Sequence, residues 1–253
     1  LTLCLCNGIS VGLAGGTGSG NTTDQAFLLN EYIKSNDDYN NRVYIIEDSR
    51  ELTLIGFDHL HERPARVIYT TTKTTPNPIT MRDHIINALR YHPKLIVPAE
   101  VRDGAAYEAA SAGQTGHTIL TAFHADNAEE AYARLVSMCH FANTGLSDER
   151  LLEMCVGAWP IMVYKKQLKD NSRKYMEVFE ATGVENGKLC GTMLYRFVIS
   201  ENERDEHGQI VKVRGEHRRV GSISAKLYNR LKDNGVEEKE LNRLFPDTVK
   251  GGA

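Results

Sequence analysis

A glycine-rich segment near the start of the chain limits the folds open to it more than any other feature. Residues 15–23 read Gly-Gly-Thr-Gly-Ser-Gly-Asn-Thr-Thr, between an apolar run at 9–14 and a helical pattern at 22–32. A glycine-rich turn between a strand and a helix directs successive backbone N–H groups at one point, where the helix dipole adds positive potential. The sequence therefore predicts a phosphate-binding loop in an α/β fold. The alternative is a Gly/Ser turn that binds nothing.

One position of this loop departs from the pattern G-x-x-x-x-G-K-[ST]. The predicted nucleotide-binding residues are those of the loop itself: Gly15, Gly16, Thr17, Gly18, Ser19, Gly20, Asn21, Thr22 and Thr23. Thr22 stands where its hydroxyl would coordinate Mg²⁺. Asn21 stands where the pattern has a lysine, whose ammonium reaches the β- and γ-phosphates and offsets charge during transfer. We therefore expect nucleotide turnover to suffer far more than nucleotide binding.

The remaining pattern predicts a mostly parallel sheet with helices on both faces. Expected strands alternate with expected helices, the strands at 42–46, 66–72, 95–97 and 118–123, and the helices at 80–91, 105–112 and from Asp126 or Asn127 to 138. After about residue 160 the pattern changes to strands at 161–164, 176–182 and 193–199, a charged hairpin or loop at 201–219, and helices at 225–232 and 237–244. Asn186-Gly187 is a hairpin turn signal, and Ser222 is the expected cap of the first of these helices. We therefore expect a core over 1–160 and an antiparallel and helical appendage over 161–253.

Composition narrows the class of protein. The chain has 253 residues, 25% of them charged, and a net charge of −3, which gives no global argument for a nucleic acid or anionic membrane partner. No apolar run approaches the roughly 18 residues that span a bilayer. Five scattered cysteines argue against a disulfide framework and for a reducing compartment. The chain starts at Leu1 and reaches an expected strand within ten residues, so we expect it to be a domain of a longer protein.

Polar side chains follow several of the expected strands. Glu47-Asp48, Glu100 and His124 each lie at or near the end of an apolar strand. Ligands of open α/β sheets bind beyond the carboxyl ends of the strands. An acid at such an end stands near Mg²⁺ or the attacking water, so we expect Glu47 to activate water and Glu100 to accept a hydrogen bond from a metal-bound water. Surface solvation is the alternative for each acid taken singly.

Histidines and arginines among these motifs are candidate phosphate contacts. His117 and His124 are placed to contact a γ-phosphate or to report its presence, although a lone histidine is more often a packed or surface residue. Six arginines lie among these motifs, and any of them is a candidate for stabilising phosphate charge, within the chain or from a neighbouring subunit: Arg63, Arg66, Arg82, Arg90, Arg102 and Arg134. A surface ion pair is the alternative for each arginine.

The order of the motifs resembles that of the ATPases of type II secretion, type IV secretion and pilus assembly. The loop is similar to the family's Walker A segment, and Ile45 to Leu52 resembles its acidic box. Leu95 to Arg102 resembles a Walker B segment that ends in glutamate, and Thr115 to Asp126 resembles the histidine box. The resemblance is specific over residues 9 to 140. The remainder looks like the tail of the tight-adherence pilus and conjugation-associated branch.

The resemblance implies a RecA-like three-layer fold that binds ATP and Mg²⁺. It implies Glu47, Glu100 and His124 as catalytic residues, and Thr22 and Glu100 as the residues of the metal site. Asn21 departs from the family's pattern, and so do Pro98 and Ala99, where Ala99 replaces a glycine.

The resemblance also implies a cytoplasmic hexameric ring at the inner face of a membrane, working with secretion or pilus machinery. The family's N-terminal domain, which helps clamp the nucleotide, lies outside this sequence. We therefore expect the isolated 253 residues to be monomeric or weakly associating and the full-length protein to be hexameric.

Two alternatives to a working motor remain open. Asn21 favours a ring subunit that binds nucleotide but has lost hydrolysis. The other is a RecA-like ATPase that translocates nucleic acid. The acidic net charge argues against it, and so does the lack of a basic stripe interleaved with aromatic residues. Nucleotide binding measured beside phosphate release separates the first two readings, and salt-dependent DNA binding tests the third.

Overall fold

The computed structural model describes residues 1–35, 41–52, 54, 67–74 and 76–248. Within these residues a nine-stranded sheet has the order β3-β2-β4-β5-β1-β6-β7-β8-β9. The strands are β1 Val11–Gly15, β2 Val43–Glu47, β3 Val67–Thr71, β4 Leu95–Pro98, β5 Thr118–Phe123, β6 Ile161–Gln167, β7 Arg173–Glu185, β8 Lys188–Arg204 and β9 Ile210–Arg219. The helices are α1 Thr2–Cys6, α2 Asn21–Ser35, α3 Met81–Ala88, α4 Ala105–Gln114, α5 Glu130–Cys139, α6 Asp148–Ala158, α7 Ala225–Asp233 and α8 Glu238–Leu244.

Six neighbouring strands pair in parallel, in the sheet order β3, β2, β4, β5, β1 and β6. Strands β1, β2, β4 and β5 are buried along their whole length, because helices cover both faces of a parallel sheet. Helices α3 to α6 share one apolar cluster with the sheet, and α1, α2, α7 and α8 share a second. The predicted α/β fold with a mostly parallel sheet and three layers is therefore confirmed.

The sheet continues beyond β6 in antiparallel strands. Strands β6 to β9 pair with one another in sequence order. The expected turn joins β7 to β8, where Asn186 and Gly187 both have a positive φ, 51° and 73°. Two such residues are what a two-residue hairpin turn of type I′ requires. The charged stretch 201–219 forms the end of β8 and the hairpin to β9.

Three local features differ from the sequence expectations. Ser224, not Ser222, caps α7, because the Ser224 hydroxyl accepts a hydrogen bond from the backbone N–H of Leu227 at 3.1 Å. Helix α6 was not expected, although the Ser147 hydroxyl caps it. Helix α1 at the start of the chain is a further addition to the pattern. In the part of the chain that the structure describes, no helix combines the length and apolarity needed to cross a bilayer.

Strand order brings the polar strand ends together. Strand β1 lies between β5 and β6, and β4 separates β5 from β2. Since these strands are parallel, the loop after β1 shares one edge of the sheet with the residues that follow β2, β4 and β5. That edge carries the candidate site.

Candidate active site

The glycine-rich loop fills the turn between β1 and α2. Gly18 and Gly20 have φ values of 78° and 90°, in the left-handed region that favours glycine. A Cβ on Gly15 would lie 2.5 Å from the backbone oxygen of Lys165, so β6 approaches too closely for any side chain there. By contrast, a Cβ on Gly16 would meet nothing within 4 Å. The loop borders a cavity of about 650 Å³.

Asn21 begins α2 with a half-buried side chain that carries no charge. Its Oδ1 is buried and has no hydrogen-bond partner among the described residues. A buried acceptor without a partner costs about 1–3 kcal/mol. One turn further along, the Gln25 amide donates to the carbonyl of Ala99 at 2.8 Å and ties α2 to the end of β4. Position 21 therefore supplies no ammonium, and its side-chain oxygen makes no hydrogen bond among the described residues.

Glu47 is the last residue of β2, and the residue is only 2% exposed to solvent. Its Oε1 accepts the backbone N–H groups of Glu51 and Leu52 at 3.0 and 2.9 Å, and its Oε2 accepts the Tyr69 hydroxyl. Burial and the neighbouring Glu47 carboxylate raise the pKa of Tyr69, which keeps the phenol a donor. The carboxylate thus ties the segment that follows β2 to strand β3. Together with Thr22 it also lines a cavity of about 260 Å³.

Glu100 links the end of β4 to the phosphate loop. Its Oε2 accepts from the Arg102 guanidinium at 2.7 Å, and its Oε1 lies 3.2 Å from His124 Nε2. The hydrogen bond and charge of Glu100 raise the pKa of Arg102. His124 Nδ1 lies 3.0 Å from the carbonyl oxygen of Gly15. A carbonyl only accepts, so the tautomer of His124 that donates to Gly15 is the one with the hydrogen on Nδ1.

Of the predicted residues, His117 and Arg82 do not join this group in the structure, and two more lie outside the described residues. His117 precedes β5, and the six residues of that strand separate it by roughly 20 Å from the edge that carries His124. Placing both histidines at one site was therefore wrong for His117. Arg82 on α3 donates to Glu108 at 2.8 Å and lines none of the cavities at this edge. Arg63 and Arg66 lie outside the described residues.

Two cations that the sequence pattern did not single out lie against the loop. The Lys165 ammonium on β6 is 2.6 Å from an Asp24 carboxylate oxygen on α2. The Arg173 guanidinium at the start of β7 donates through Nε to the carbonyl of Gly18 at 2.7 Å. Both side chains line the loop's cavity. They were missed because nothing in the sequence sets β6 beside β1.

The donor set at this edge fits Mg²⁺. The Thr22 hydroxyl and the carboxylates of Glu47, Asp48 and Glu100 line one small cavity, and Mg²⁺ takes oxygen ligands. Among the described residues no group of three His, Cys, Asp or Glu side chains is placed to hold a metal alone. Mg²⁺ commonly uses one or two protein groups together with substrate phosphates. Thr22 and Glu100 are the residues that would serve it here.

Comparison with known proteins identifies the family. The model of the family described as "Type II/IV secretion system protein" matches residues 8–158. The chain belongs to this family. Among curated relatives, the conjugal transfer protein TrbB of Rhizobium radiobacter is 25% identical over 179 residues, covering 70% of this chain and 50% of the relative. Protein VirB11 of Agrobacterium fabrum is 29% identical over 167 residues, covering 64% of this chain and 45% of the relative.

A solved structure extends the comparison to the fold. The VirB11 ATPase from the Brucella suis type IV secretion system, in complex with sulphate, matches with a TM-score of 0.60 and 25% identity, covering 71% of this chain and 50% of that one. The RecA-like fold that the motifs implied is therefore confirmed. The chain spans about half the length of the curated relatives it matches.

Proposed function

We propose that this chain is the ATP-binding motor domain of a secretion, conjugation or pilus-assembly protein. The observation that carries the proposal is the phosphate loop beside Glu47, Glu100 and His124, all at one edge of the sheet. In the proposal the loop amides and the dipole of α2 hold the nucleotide phosphates. The rest of the assembly is part of the same proposal: a hexameric cytoplasmic ring beside secretion or pilus machinery at the inner face of the membrane.

The acids of the site take separate roles in the proposal. Glu47 orients and deprotonates the attacking water, since its carboxylate is fixed by backbone donors and lines the cavity beside Thr22. Glu100 holds His124 and Arg102, and it would orient the water shell of Mg²⁺ when the ion is bound. His124 joins that network to the phosphate loop through Gly15. Mg²⁺, when bound with the nucleotide, neutralises charge on the phosphates.

A second candidate function is a ring subunit that binds nucleotide and hydrolyses it poorly. The observation that favours it is the uncharged Asn21 at the start of α2. One charge at a transferring phosphate contributes about 3–4 kcal/mol to transition-state stabilisation. Loss of the lysine therefore reduces turnover more than it reduces binding.

Nucleotide binding and phosphate release, measured together, test both candidates. We expect the protein to bind a fluorescent ATP analogue and to release phosphate slowly or not at all, and Asn21→Lys to raise the rate. Failure of the unaltered protein to bind the analogue would refute the proposal. A rate of about 1–100 per second in the Asn21 protein, unchanged by Asn21→Lys, would refute the role given to position 21.

A further inference from the structure

A buried ammonium lies against the phosphate loop and comes from β6. Lys165 pairs in register with Gly15, the last residue of β1. Its side chain is 11% exposed, and its Nζ lies 3.2 Å from the point that a Cβ on Gly20 would occupy. It also lines the loop's cavity. We propose that Lys165 supplies the ammonium for the terminal phosphates of the nucleotide that the loop lacks at position 21. The inference rests on the proposed function, because it requires a nucleotide in the loop.

The contacts of Lys165 leave it able to take a ligand. Among the described residues its ammonium donates one hydrogen bond, to Asp24, and an ammonium has three donors. The ring of Tyr175 lies 5.0 Å from Nζ, and burial together with the Asp24 carboxylate raises the pKa of that phenol. The ammonium is thus shielded from water but still has two N–H groups for phosphate oxygens. A shielded charge binds an anion more strongly than an exposed one does.

Asp24 holds Lys165 at the place where phosphate would compete for it. Asp24 lies in the first turn of α2, and its side chain is 13% exposed. A helix N-terminus favours an anion, so the positive electrostatic potential at the start of α2 attracts both the Asp24 carboxylate and an incoming phosphate. Asp24 therefore competes with the nucleotide phosphates for Lys165 when both are present.

Arg173 positions the loop for this contact. Its Nε donates to the carbonyl of Gly18, and its Cδ lies 3.2 Å from the Cβ point of Gly20. With Lys165 it gives two positive charges against the single negative charge of Asp24. The loop is thus net positive at its inner side although Asn21 is neutral.

Titration of a fluorescent ATP analogue and of AMP into single variants tests the inference. Lys165→Met should weaken binding of the ATP analogue about 10- to 100-fold, the range of one hydrogen bond between charged groups, and should leave AMP binding unchanged. Lys166→Met is the matched control, because Lys166 is exposed and adjacent on the same strand. Its binding should stay within about twofold of the unaltered protein. Lys165→Arg should retain most of the affinity, and adding Asn21→Lys to Lys165→Met should restore it.

The outcomes separate this inference from the proposed function. If the unaltered protein does not bind the ATP analogue, the proposed function fails and this inference fails with it. If it binds and the Lys165→Met and Lys166→Met proteins bind alike, Lys165 is only the structural partner of Asp24 and this inference alone is overturned.

Asp24→Asn keeps the inference testable if Lys165→Met does not fold. It removes the competing carboxylate and should tighten binding of the ATP analogue. Unchanged or weaker binding in this variant also overturns the role of Lys165.

Discussion

Glu47→Gln separates a chemical role of this side chain from a structural one. Glutamine has the shape of glutamate, and its oxygen still accepts the N–H groups of Glu51 and Leu52, but its amide replaces the oxygen that accepts the Tyr69 hydroxyl. Loss of one hydrogen bond to a charged group costs about 1.5–3 kcal/mol. At about 2–4 °C per kcal/mol for a chain of this size, Tm should fall by about 3–12 °C.

Tyr69→Phe is the matched control, because it deletes the same hydrogen bond from the other side. The phenylalanine ring keeps the place of the tyrosine ring, whose centre lies 5.0 Å from the Arg50 guanidinium carbon. The fall in Tm should therefore be similar. Turnover should differ, because only Glu47→Gln removes the base. In the Asn21→Lys background, where there is activity to lose, Glu47→Gln should reduce turnover about 10²- to 10⁴-fold, the usual contribution of a general base.

Three measurements on the two variants decide the role: calorimetric Tm, phosphate release and binding of a fluorescent ATP analogue. Nucleotide affinity should be unchanged in both variants. Full turnover in the Glu47→Gln protein would refute the water-activating role. An equal loss of turnover in the Tyr69→Phe protein would show that Glu47 acts by holding the segment after β2 rather than by taking a proton.

Two further perturbations test the geometry of the fold. Gly15→Ala should lower stability by about 1–3 kcal/mol, since its Cβ would lie 2.5 Å from the backbone of β6, whereas Gly16→Ala should stay within about 0.5 kcal/mol in urea unfolding. Burial raises the pKa of Glu180, and hydrogen bonds from Ser224 oppose this shift only in part. The protonated carboxyl therefore contributes to the free energy of unfolding at pH values below the ordinary carboxyl pKa. That contribution is lost as the pH rises through the raised pKa. Glu180→Gln should therefore gain stability relative to the unaltered protein as pH rises from about 4 to 7. Glu185→Gln, at the exposed end of β7, should not.

Local sequence signals predict most of the strands and helices, but they do not predict which strands lie side by side in the sheet. The expected strand at 118–123 has the observed bounds, because its apolar residues are bounded by polar ones. The turn at Asn186-Gly187 was found because few residues other than Gly, Asn and Asp tolerate its backbone angles. Helix α6 was missed although Ser147 caps it and Leu151, Met154 and Cys155 are buried at helical spacing. The position of β6 beside β1 depends on packing between distant segments, which local patterns do not contain.

The same distinction explains which site residues could be predicted. The strand-end rule found Glu47, Glu100 and His124, because each lies at or just beyond the carboxyl end of a strand of the parallel sheet. His117 was included because it belongs to the same motif as His124, yet the two stand at opposite ends of β5. Lys165 follows no such rule. It reaches the loop only through the register of β6 on β1, which no local signal fixes.

The antiparallel extension brings two cations to the phosphate loop. The expected boundary near residue 160 would separate the loop from Lys165 and Arg173, although both line the cavity that the loop borders. Gly15 has no room for a side chain because β6 lies against it, so the turn of the loop and the place of β6 depend on each other. Positive charge near a loop without its own lysine strengthens the binding of a triphosphate. Strands β6 and β7 are where this chain provides it.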